Sequence, residues 1–216
     1  MKKNPSLPIK PDSNVNQERL IFLVDGVFAI TMTLLVLELR PPELGTADLA
    51  GALQAMLPRL YIYLIAFYSI ANHWVVHQRM FRHITAMDTT MLWLTILSLL
   101  FITLIPVSTA IVGRFPGEEL AVACFSANSF LQALTVWIFW SYVVKNQKIF
   151  ASHSEPRLLA INTHVWLIIA IGWLLSIPLG FVNVYLAYAS WIIWPNLVGI
   201  WGSHKRRAFQ TVRHVK

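Results

Sequence analysis

Apolar residues in this chain fall into long blocks, and charge clusters or Pro and Gly separate one block from the next. A helix needs about 20 mainly apolar residues to cross a hydrocarbon layer of roughly 30 Å. Six stretches meet that length, at residues 19–40, 49–77, 86–112, 118–144, 157–177 and 182–203. The pattern predicts an all-α, polytopic membrane protein with six transmembrane helices over 19–203, a leading segment 1–18 and a basic tail 204–216. Pro178 and Gly180 predict a tight turn between the fifth and sixth spans, and Pro195 falls inside the sixth.

Composition agrees with the blocks. At 56% hydrophobic and 12% charged residues, the chain is too apolar for an ordinary soluble domain. Residues 1–15 hold Pro5, Pro8 and Pro11 and lack the apolar core of a cleavable leader, so the first span is expected to stay in the mature chain. The single cysteine, Cys124, excludes an intrachain disulfide and is expected to be a buried, inert thiol.

Charge then sets the expected topology. Threading six alternating spans puts all but Arg40, Arg59 and Arg114 of the 17 basic residues on one side, which by the positive-inside rule is the cytoplasm and holds both termini. The formal charge of +7 is therefore a topology and anionic-lipid signal, and nucleic-acid binding is not needed to explain it. There is no Walker loop, GxGxxG, GxSxG or CxxC pattern, so the sequence reads as a non-enzyme. It also lacks a TVGYG-like filter and a span with repeated arginines, which argues against a voltage-gated potassium channel.

The first span carries the strongest chemical pattern. Ile30, Leu34 and Leu37 lie on one helical stripe, with Val27 continuing it inward and Thr33 and Glu38 at its edges. In a lone chain such a stripe is a packing or lipid-facing seam. Where copies meet around an axis, it becomes stacked aliphatic rings that gate ions by dewetting.

Asp25 lies in the same span, where a carboxylate costs roughly 2.5 to 3.5 kcal/mol unless the fold satisfies it. Arg19, six residues earlier, sits about 120° off its face. Partners are therefore expected from the second span, whose NHWVVHQR end supplies Trp74, His77 and His73 to a polar clasp. His73 and His77 also have the i, i+4 spacing of metal ligands, with His164 as a third donor. With no carboxylate in the motif, a metal or haem centre is the weaker reading.

Arg19, then five residues, then DGVFAI and TLLVLEL resembles the first-helix signature of the transmembrane protein 175 family, the endolysosomal potassium channels and their bacterial relatives. Trp74 and His77 resemble that family's Trp-x-x-His element. The match departs at Leu23-Val24, which stand where the family has Phe-Ser, so no role of that serine carries over.

The resemblance implies a tetramer of six-span subunits whose first helices line a central pore. Its narrow apolar positions fall on Ile30, Leu34 and Leu37, and its threonine layer on Thr33. This chain has one copy of the motif, which implies a bacterial-type homotetramer in the plasma membrane. Such a channel would pass potassium and other monovalent cations and need no cofactor. The alternative is a secondary cation or proton transporter that uses Asp25 as its coupling carboxylate.

Overall fold

A computed structural model describes residues 17–39, 49–81, 84, 87–146 and 156–214. The helices are α1 (Gln17–Leu34), α2 (Leu49–Phe81), α3 (Thr89–Thr103), α4 (Ile105–Arg114), α5 (Glu119–Lys145), α6 (Pro156–Val182) and α7 (Val184–His214). Among the described residues, five spans are long and apolar enough to cross a membrane: Gln17–Glu38, Leu49–Arg79, Thr89–Arg114, Glu119–Lys145 and Thr163–Val182. The chain is a multi-pass membrane protein. α7, more polar through Ser190, Pro195 and Asn196, falls outside that set and continues to His214, past the expected end at 203.

In α1, Leu20, Val24, Phe28 and Thr31 recur every three or four residues and form the buried row. The α-helix ends at Leu34, and residues Leu35–Glu38 tighten into a 3-10 turn. Pro41 and Pro42 cannot continue a helix and restrict the residue before them, which ends α1 sooner than the apolar run suggests. Arg40 lies outside the described residues.

The expected third span is two helices, α3 and α4, joined at Leu104. Pro106 has no N–H to offer the preceding turn, and the Phe101 carbonyl next to the break accepts from Asn128 Nδ2 of α5 at 3.1 Å. Asp88 starts α3 by accepting the Met91 N–H at 2.9 Å.

The fifth and sixth spans separate at Asn183, not at Pro178 or Gly180, both of which lie inside α6. Asn183 Oδ1 accepts from the backbone N–H groups of Tyr185 (2.8 Å) and Leu186 (3.3 Å) and so caps α7. A proline in a packed membrane helix is tolerated because neighbouring helices compensate the lost bond.

Lipid is as apolar as Leu, so close packing and hydrogen bonds hold membrane helices together. α6 presents Gly172, Ser176 and Gly180, small residues spaced four apart, and α5 and α7 pack along that strip. Ser126 of α5 and Ser176 pair at 3.0 Å, and Trp191 Nε1 donates to Ser176 at 2.7 Å. Trp194 lies across Gly172 and donates to the Ile168 carbonyl at 3.0 Å. These pairings run α6 and α7 antiparallel.

A Cβ at Gly172 would fall inside the Trp194 indole. Gly172→Ala is therefore expected to displace that ring and cost about 1–3 kcal/mol in detergent unfolding. Gly199→Ala meets nothing within 4 Å and is expected to leave the unfolding midpoint unchanged or raised.

Cys124 is exposed, contrary to expectation. α5 buries the face carrying Val122, Phe125, Ser126 and Ser129, and Cys124 points off it. An apolar surrounding run does not bury a residue when lipid faces half the helix.

Candidate functional site

α1 divides cleanly around its axis. Opposite the buried row lies an exposed row of Arg19, Gly26, Ile30, Thr33 and Leu37, flanked by Leu23 and Leu34. Ile30 is 60% exposed, Leu34 45% and Leu37 61%, so the sequence-derived stripe is uncovered in the single subunit. In the 3-10 turn three residues make one revolution, which brings Leu37 directly above Leu34. Val36, also exposed, lies about 120° round from Leu34 and Leu37 and so off the stripe. Glu38, at the end of the turn, is half-buried.

Thr33 sits in the exposed row, and its hydroxyl donates to the Ile30 carbonyl at 2.8 Å. With its proton committed to the backbone, the oxygen presents lone pairs outward.

Asp25 joins α1 to α2. Trp74 Nε1 donates to Asp25 Oδ1 at 2.9 Å, and Gln78 Nε2 donates to the same oxygen at 2.6 Å. Trp74 and Gln78 are one turn apart on α2 and form a two-pronged donor. Gln78 escaped the sequence reading, although its i, i+4 relation to Trp74 was the available signal.

His77 borders the clasp with its ring stacked on Phe81, centroids 4.0 Å apart, and tilted against Phe28 at 6.1 Å. His73, placed in the clasp by the sequence reading, is corrected out of it. It lies about 100° round α2 from Trp74. There its Nδ1 donates to the Ser69 carbonyl at 2.7 Å and its ring packs on Trp166 at 5.3 Å. Arg19 and His164 lie exposed on α1 and α6. Among the described residues no three of His, Cys, Asp and Glu gather into a group that would hold a metal ion.

A second polar anchor near the same end of the bundle joins helices far apart in sequence. Tyr142 donates its hydroxyl to Asp88 Oδ2 at 2.5 Å, and Asn146 Nδ2 donates to that hydroxyl oxygen at 3.2 Å. Gln17 Nε2 reaches from the start of α1 to the Ile84 carbonyl at 3.0 Å. The end of α1 that carries Asp25 is thus tied to α2 and to the residues just after it.

Residues 19–106 match the family model described as the endosomal/lysosomal potassium channel TMEM175. A potassium channel of Streptomyces collinus is 27% identical over 171 residues, covering 77% of this chain and 83% of that protein. A potassium channel of Chamaesiphon minutus is 26% identical over 169 residues, covering 76% and 83%. The crystal structure of a lysosomal potassium-selective channel TMEM175 homolog from Chamaesiphon minutus superposes with a TM-score of 0.77 at 23% identity, over 86% of this chain and 97% of that one. The matched segment contains both the exposed α1 row and the Asp25 clasp, and the fold is shared along most of both chains: over residues 19–106 this chain is similar to the TMEM175 family, and its fold is that of the solved Chamaesiphon homolog.

Proposed function

We propose that this protein is a potassium-permeable cation channel, a homotetramer in a bacterial plasma membrane with both termini cytoplasmic, in which four copies of α1 line the pore. One observation carries the reading. The polar clasp points α1 so that its Ile30, Leu34 and Leu37 row is left uncovered, with Thr33 beside it. Around a four-fold axis that row makes stacked aliphatic rings, a constriction that excludes water and so controls ion passage.

Thr33 offers a ring of hydroxyl oxygens to an ion that has shed part of its hydration. Glu38 contributes to an acidic mouth that concentrates cations. Gly26 leaves the pore axis unobstructed by a side chain on the clasp side of the constriction. The permeant ion is the substrate, and no cofactor enters.

Asp25 is a positioning group in this scheme. Both donors from α2 converge on one of its oxygens, which ties the carboxylate to the neighbouring helix. Recording from the purified protein in planar bilayers tests the proposal. A channel gives unitary currents whose reversal potential follows the potassium gradient. Saturable flux that depends on a counter-ion, without unitary currents, would instead identify a transporter coupled through Asp25.

A further inference from the structure

Between α2 and the α3–α5–α6 side of the bundle lies a cavity of about 30 Å³, walled chiefly by aromatic and aliphatic side chains such as Phe28, Phe139, Trp140 and Trp166. Two polar atoms border it, His73 Nε2 and Gln132 Oε1, and both are buried with no hydrogen-bond partner in the protein. Their chemistry can be assigned. The Ser69 carbonyl only accepts, so the proton of the neutral His73 ring is on Nδ1 and Nε2 is a bare acceptor. Gln132 Nε2 donates to Ser98 Oγ at 3.2 Å, which leaves its Oε1 an acceptor as well.

Two acceptors cannot satisfy each other. The occupant must bring donors, and it must be small. A water needs roughly 10–15 Å³ of such space, so the cavity has room for about two. We infer that this cavity is a built water site, in which two waters donate to His73 and Gln132 and join α2 to α5 by a hydrogen-bonded bridge.

The bridge has a structural consequence. α2 holds the pore-facing helix through Trp74 and Gln78, and His73 is the adjacent residue on the next face of α2. The waters form a wet joint between the α1–α2 pair and the scaffold formed by α3, α5 and α6. Water bonds remake easily, so such a joint lets α2 shift against the scaffold without exposing an unpaired polar atom.

A map of the full-length protein in lipid nanodiscs, detailed enough to show ordered water, tests the assignment. Two spherical densities are expected in the cavity, within hydrogen-bond distance of His73 Nε2 and Gln132 Oε1. Gln132→Met keeps the side-chain length and removes one acceptor, and His73→Phe keeps the ring against Trp166 and removes the other. Each is expected to lose the density nearest its site while the helices stay in place. If one variant does not fold, the other serves alone. An empty cavity in the unaltered protein overturns the inference, as does an elongated density from a lipid tail or other organic molecule, or water that persists unchanged in the folded variants.

Discussion

Replacing Leu34 with Ala is expected to raise potassium conductance about tenfold, which corresponds to a barrier lower by about 1.4 kcal/mol. On the proposed tetramer that is about 0.35 kcal/mol from each of four side chains, a small change per subunit that the symmetry multiplies. Leu34 is the position to choose, because it occupies the middle of the stripe with Ile30 one turn below and Leu37 stacked above in the 3-10 turn. Shortening it opens the row at its centre and lets water reach the ion there.

The substitution is also structurally mild. Leu34 is already 45% exposed, so its truncation leaves no closed cavity inside the subunit. Leu175→Ala is the control, because Leu175 is an exposed leucine on α6, far from the stripe in sequence. Its conductance is expected to match the unaltered protein. Unchanged flux in both Leu34→Ala and Ile30→Ala, with tetramers intact, would show that this row is not the pore.

How far this site was legible in the sequence differs residue by residue. Ile30, Leu34 and Leu37 were visible because helical periodicity alone sorts one face from another, and lipid-facing and axis-facing residues are both apolar. The Asp25–Trp74 contact was legible as a cost to be met, since a carboxylate in a spanning helix demands a donor and the antiparallel neighbour brought one level with it. His73 was misassigned because an i, i+4 relation to His77 says nothing about which of the two faces α1.

Other features needed three-dimensional information. The Tyr142 bond to Asp88 joins residues 54 apart, and nothing local in either segment announces the other. The Gly172, Ser176 and Gly180 strip has a readable spacing, but Pro178 within it suggested an end to the helix that tertiary packing overrides. The 3-10 winding of Leu35–Glu38, which stacks Leu37 over Leu34, is likewise not announced by the apolar pattern.

The clasp yields the second large effect, and its size depends on which side is removed. Both Trp74 and Gln78 donate to Asp25 Oδ1, so Asp25→Asn can keep both bonds by presenting its own Oδ1. Neutral bonds are weaker than charge-assisted ones, and a loss of about 1 kcal/mol or less is expected. Asp25→Ala removes the acceptor and leaves two donors unmatched, with an expected loss of about 2 kcal/mol.

The paired change Trp74→Phe with Gln78→Leu is expected to cost more than either, about 3 kcal/mol, because it strands a carboxylate at membrane depth with its donors gone. Adding Asp25→Leu to that pair is expected to recover most of the loss, since an apolar contact then replaces the whole clasp. Reversible unfolding in bicelles measures all four variants. A third substitution that deepens the loss instead of relieving it would mean that Asp25 draws its stabilisation from groups other than Trp74 and Gln78. If the relieved triple variant still assembles but conducts with altered ion preference, the clasp serves chiefly to hold the rotation of α1. Strength would then have been restored while the aim of Ile30, Thr33 and Leu34 was not.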